Sequence, residues 1–256
     1  HPAYGQLRAV TDTASVLLCD NPGLLTLEGT NTWILRASGS DEFVVVDPGP
    51  DDAAHIERIA ALGKVALVLI SHRHGDHTDG IDKLVDLTGA TVRSVGSGFL
   101  RGLGGPLTDG EVIEAAGLRI TVLATPGHTA DSVSFLLDDA VLTADTVLGR
   151  GTTVIDDEDG SLRDYLESLR RLAGLGARTV LPGHGPDLPD IRDVAAMYLA
   201  HRQERLDQVR DALRELGADA GARRIVEHVY TDVDEKLWDA AEKSVQAQLD
   251  YLMSTD

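Results

Sequence analysis

The chain has 256 residues, 43% of them apolar and 25% charged, which is ordinary for a soluble globular protein able to bury one substantial core. A formal charge of −19 and a single cysteine exclude a disulfide-stapled fold and disfavour loose attraction to nucleic acid or anionic lipid. No run reaches the roughly 20 apolar residues that span a bilayer. Residues 1–10 lack a basic segment followed by an apolar one, so a cytoplasmic location is expected.

In chain order, residues 16–19 read as a first strand, with Cys19 as a buried thiol, and Asn21-Pro22-Gly23 as a turn. A polar stretch over 26–32, containing Asn31, leads into a strand over 33–35. The strand predicted over 43–46 ends in Asp47-Pro48-Gly49. Asp47 there suits either a turn cap or a partner for a ligating histidine. Asp51-Asp52 open a helix over 53–62, with acids in its first turn as the helix dipole favours. Its apolar stripe is Ile56, Ile59 and Ala60, which leaves His55 on its surface.

Residues 65–70 form a six-residue apolar run, read as a fully buried strand. It ends in Ser71-His72-Arg73-His74-Gly75-Asp76-His77. In an extended segment His72 and His74 point the same way, and a sharp turn at Gly75 lets Asp76 and His77 aim elsewhere. That geometry suits two neighbouring metal ions, and imidazole with carboxylate is a donor set zinc prefers. A helix follows over 81–87, then a short strand over 91–95 and a glycine-rich loop over 96–105. Strands are expected over 111–115, 118–124, 132–137, 141–143 and 179–181, with a helix over 162–172. Three of these segments run into one further ligand type each: His128 in Thr125-Pro126-Gly127-His128, Asp145 in Thr143-Ala144-Asp145, and His184 in Pro182-Gly183-His184. His1, His55, His201 and His228 match no ligand motif. Beyond Pro189 the pattern is helical, over 191–216, 222–230 and 235–252.

H-x-H-x-D-H followed by separate His, Asp and His residues resembles the metallo-β-lactamase-fold hydrolases. The resemblance implies an α/β αββα sandwich over residues 1–189. A small helical, winged-helix-like domain follows over 190–256, its wing lying beyond Asp256. It also implies two Zn2+ ions per chain, with iron or manganese as other occupants, and a hydroxide bridging them. His72, His74 and His128 would hold the first ion and Asp76, His77 and His184 the second, with Asp145 between them and Asp76 also catalytic. In β-lactamases of this fold the position of Asp145 is usually cysteine or serine, which argues against β-lactam turnover. Relatives often carry glycine where this chain has Ala144.

The branch resembled most is the lactamase-like endoribonucleases. The carrying residues are Asn21-Pro22-Gly23, the Gly29-Thr30-Asn31-Thr32 segment, Thr143 to Gly149 with Gly151-Thr152-Thr153, and His201 to Arg205. This implies cleavage of single-stranded RNA, with Asn31, Thr152, Tyr198, His201 and Arg205 as candidate substrate contacts. Tyr198, His201 and Arg205 are spaced by three and four and share a helix face, placed either at the site entrance or against the sandwich. Two other readings share the ligands: a thioester or lactone hydrolase resembling glyoxalase II, acting on a small acyl thioester, and a mononuclear iron enzyme resembling persulfide dioxygenases. Charge weighs against RNA, because from Asp187 onward nine Lys/Arg face sixteen Asp/Glu, whereas nucleic-acid modules present a basic face.

Overall fold

Side chains of a strand alternate between faces, and here that alternation sorts the apolar residues into three layers of core. The computed structural model describes residues 2–255 except Asp157 and Asp232, so His1 lies outside the described residues. The first half contributes β1 (Leu7–Ala9), β2 (Ala14–Leu18), β3 (Asn31–Leu35), β4 (Glu42–Val46), α1 (Ala53–Ala61), β5 (Lys64–Leu69), α2 (Gly75–Thr78), α3 (Ile81–Thr88) and β6 (Val92–Arg93). Then come β7 (Val112–Ala115), β8 (Leu118–Ala124), β9 (Val133–Leu136), β10 (Ala140–Ala144), α4 (Leu162–Ala173) and β11 (Thr179–Pro182). Helices α5 (Ile191–Leu216), α6 (Ala222–Val229) and α7 (Trp238–Thr255) follow.

The strands form a six-stranded sheet, β1-β2-β3-β4-β5-β6, and a five-stranded sheet, β11-β10-β9-β8-β7. Val44, Val46, Leu67 and Leu69 of the first sheet meet Ile120, Val122, Phe135 and Leu142 of the second in the central layer. Their neighbours Val45, Val68 and Ile70 turn outward onto Ile56 and Ile59 of α1 and Leu84 of α3. On the far side, Val141 and Val180 pack under α4, and one continuous apolar cluster runs from there through α5, α6 and α7. The result is an αββα sandwich with the C-terminal helices seated on the second sheet. No helix among the described residues is long and apolar enough to cross a membrane.

The differences from expectation are local. Strand β1 was not expected, since all three of its residues are exposed and it carries no buried face to read. The sharp turn expected at Gly75 is the start of a helix: Gly75 opens α2, and His74 stands at that helix's N-cap. His55 is not on the surface: it is 1% exposed, and its Nε2 lies 2.9 Å from Thr32 Oγ1. Burial pushes its pKa down to about 4 from an ordinary 6.5. The unfolded chain thus takes a proton near pH 6.5 that the folded chain refuses until about 4. The stabilisation linked to neutral His55 is complete above pH 6.5 and is lost as pH falls toward 4. Urea denaturation should show wild type losing about 2–3 kcal/mol more than His55→Gln between pH 7 and 4.5. Equal losses in the two proteins would mean that His55 does not titrate in this way.

Candidate metal centre

Four chain segments leave the C-terminal ends of strands on one rim of the sandwich. The segment after β5 carries His72 and His74 and runs into α2, which carries Asp76 and His77; the ends of β8, β10 and β11 deliver His128, Asp145 and His184. Backbone conformation fixes two of these approaches. Gly127 has φ +135°, and a Cβ there would stand 2.3 Å from Tyr165 Cα, so only glycine brings His128 onto the rim. Ala144 takes a left-handed φ of 45°, a conformation that glycine adopts more readily than alanine. Rim loops of the two sheets are stitched together where Asn31 N donates to Gly183 O at 2.8 Å and Val133 N to Ser71 O at 2.9 Å.

The structure brings all seven candidate ligands together in two groups: His72, His74, His128 and Asp145; and Asp76, His77 and His184. In the first, His74 Nδ1 lies 3.0 Å from both His72 Nε2 and His128 Nε2. In the second, His77 Nε2 and His184 Nε2 are 3.3 Å apart, with Asp76 Oδ2 3.1 Å from His184 Nε2. Asp145 lies between the groups, its carboxylate 3.7 Å from His128 Nε2, 3.4 Å from His184 Nε2 and 3.5 Å from His77 Nε2.

The remote nitrogen of every ring is already engaged. His72 Nδ1 meets Ser71 Oγ at 2.9 Å, and Ser71 donates in turn to Asp47 Oδ2 at 2.6 Å. His74 Nε2 is 2.8 Å from Asp156 Oδ2 and His128 Nδ1 is 2.6 Å from Val154 O. His77 Nδ1 is 2.9 Å from Asp47 Oδ2 and His184 Nδ1 is 3.1 Å from Gly29 O. With those nitrogens donating, the rings of His72, His74 and His128 turn their lone pairs toward one another across the first group. Lone pairs at 3.0 Å repel unless a cation lies among them. Asp145 Oδ1 is likewise buried without a hydrogen-bond partner. The donor set, the outer carboxylates and backbone carbonyls that fix the tautomers and the orphaned oxygen all fit divalent metal ions.

Charge divides the two groups. Burial holds the His72 and His128 pKa values below the ordinary range, with His77 adding to the effect at His72. For His77 burial opposes the proton, but the Asp145 and Asp47 carboxylates outweigh it and raise its pKa well above normal. His184 is pushed up to about 9 by Asp145 and Asp76 against the same opposing burial. Asp145 shows the converse: burial would raise its pKa, yet His184 and His77 hold it well below the carboxylate range.

The candidate substrate residues are placed less uniformly. Asn31 is buried, and its side-chain amide donates to Pro182 O at 3.0 Å and Gly185 O at 2.8 Å, clamping the loop that carries His184. Thr152 is exposed. Tyr198 is 1% exposed, too deep to line an entrance. The face of α5 that reaches the rim is Tyr198 with Arg202, not Tyr198 with His201 and Arg205. His201 is half-buried, with Nδ1 unpaired, and the Arg205 guanidinium lies 4.5 Å from the Tyr230 ring centroid. His228 pairs with Glu215 at 3.2 Å on the surface. Sequence reasoning missed Asp156, Ser71 and Arg202. Only the opposite charges of Arg73 and the acidic run starting at Asp156 hinted at a contact, seen as Arg73 Nη2 donating to Asp156 Oδ1 at 3.0 Å.

Residues 25–184 match the metallo-beta-lactamase superfamily, and residues 222–256 match the beta-lactamase associated winged helix domain. The lactamase-like protein adaB of Aspergillus niger is 32% identical over 87% of this chain and 72% of its own length. The atrochrysone carboxyl ACP thioesterase of Aspergillus fumigatus is 33% identical over 78% of this chain and 64% of its own. A metallo-beta-lactamase family protein from Thermus thermophilus superposes with a TM-score of 0.79 at 24% identity, covering 96% of this chain and 95% of that one. Matched along most of its length and built as two facing sheets with a winged-helix domain behind them, this chain belongs to the metallo-beta-lactamase superfamily of hydrolases.

Proposed function

We propose that this hydrolase holds two zinc ions and cleaves acyl thioesters. The observation that carries the two-ion reading is the pair of ligand groups sharing Asp145. When bound, such ions supply Lewis acidity and lower the pKa of a water molecule to near neutral. The protein then has to orient that water and the acyl carbon. Asp76 is the better exposed of the two central carboxylates, at 27% against 12% for Asp145, and it is the group placed to hold the water's proton. Asp47, Asp156, Val154 and Gly29 keep the five rings in fixed tautomers.

The state of the rim arginines favours a thioester over RNA. Arg73 is paired with Asp156, Glu158 and Asp159 at 3.0–3.3 Å, and Arg150 with Glu28 at 2.6 Å. A polyanion gains its affinity by neutralising phosphates, and these two cations are already neutralised. The similarity to an acyl-carrier thioesterase points the same way. RNA cleavage is the second reading, favoured by the winged-helix match over residues 222–256.

The test compares zinc-loaded wild type and Asp76→Ala on a small acyl thioester and on unstructured RNA. Thioester turnover in wild type that is lost in the variant is the expected result. Wild-type RNA cleavage lost in the variant, with no thioester turnover, would replace this reading with the second. RNA cleavage that survives in the variant is contamination.

A further inference from the structure

We propose that helix α5 positions the ligands of the first group through the loop 148–156, with Arg202 as the main positioning residue; this rests on the two-ion reading above. The loop has no helix or strand of its own, yet it touches three of the four residues in that group. Thr153 Oγ1 donates to Asp145 O at 2.7 Å. Val154 O accepts from His128 Nδ1 at 2.6 Å, and Asp156 Oδ2 from His74 Nε2 at 2.8 Å. Asp156 N also donates to His128 O at 3.0 Å. Ring tilt and tautomer of two histidines and the backbone of the shared aspartate therefore depend on where one irregular segment lies.

That segment is held from the C-terminal region. Arg202 is 3% exposed, and its guanidinium donates to Thr153 O while lying 5.0 Å from the Tyr165 ring centroid. Tyr165 in turn donates to Thr146 O at 2.7 Å, one residue past Asp145. Tyr198, one helical turn before Arg202, accepts from Leu148 N at 3.1 Å and donates to Gly151 O at 2.9 Å. Burying a guanidinium is costly, and the Arg202 Nε has no partner. The cation is retained where its hydrogen bond to Thr153 O holds the loop that follows Asp145.

The second group meets this loop only through backbone, where Gly149 N donates to His184 O at 2.9 Å, and through the shared Asp145; its rings rest on other partners. His77 is oriented by Asp47 and His184 by Gly29, both in loops of the first sheet. Loosening the Arg202 contact at Thr153 should therefore weaken the first ion more than the second, which a general loss of stability would not do.

The test measures Co2+ affinity of the full chain, from its visible absorption in competition with a chelator. Two backgrounds each leave one group complete: Asp76→Ala keeps the first and His128→Ala the second. Adding Arg202→Met should weaken Co2+ about 10-fold in the first background, the low end for partners outside the ligands themselves, and less than about 2-fold in the second. Equal weakening in both, or none in the first, overturns the proposal. Should Arg202→Met fail to fold by circular dichroism, Tyr198→Phe deletes a single oxygen and is judged by the same selectivity. Wild type itself must take up two Co2+ per chain; uptake of fewer refutes the two-ion reading and is distinguishable from an unselective effect of α5.

Discussion

Asp76→Ala is expected to leave a folded chain that carries one ion where wild type carries two and loses at least about 100-fold in thioester turnover. Asp76 belongs to the four-residue helix α2, and its partly exposed carboxylate contacts His184 Nε2 at 3.1 Å and Thr30 Oγ1 at 3.5 Å. It contributes nothing to any of the three apolar layers, so thermal unfolding of the metal-free proteins should differ little. Its removal leaves His77 and His184 with no carboxylate of their own beyond the shared Asp145. Elemental analysis and steady-state kinetics on the same preparation check both halves. Wild-type turnover with a single ion bound would remove Asp76 from the chemistry and the second ion with it.

Gly127→Ala should damage both the fold and the site through a single methyl group. At φ +135° an alanine is strained, and its Cβ would lie 2.3 Å from Tyr165 Cα and 2.4 Å from Tyr165 N. Backbone atoms of α4 cannot step aside as a flexible side chain can. Left-handed strain and overpacking each cost about 1–3 kcal/mol, so a loss of about 2–6 kcal/mol is expected in urea denaturation. The displacement falls on His128, the next residue, so the first ion should be lost as well. An alanine variant with wild-type stability and a full metal complement would show that this close approach does not constrain the site.

The ligand pattern was legible because each candidate stands directly after an apolar run, and a strand end converts sequence position into a place on the rim. The same logic exposed β5, whose buried run leaves no helix–strand ambiguity once Gly63 and Ser71 bound it. It failed for α2, because four residues are too few to show a helical period. It failed for His55, since a polar ring can be buried when a partner 23 residues away accepts or supplies its hydrogen bond. Asp156 and Arg202 were illegible for a related reason. Their roles depend on His74, 82 residues distant, and Thr153, 49 residues distant, and nothing local in either segment encodes those meetings.

The placement of the ligand groups has a mechanical meaning. His72 and His74 come from the first sheet, while His128 and Asp145 come from the second; Asp76 and His77 belong to the first and His184 to the second. An ion held by either group is therefore a cross-link over the seam of the sandwich. The chain's one cysteine is buried and unpaired, so no disulfide can serve that purpose. A coordination cross-link opens by chelation instead of reduction, and its contribution to folding grows with free metal by mass action. How long the two sheets stay closed thus follows the metal supply around the protein.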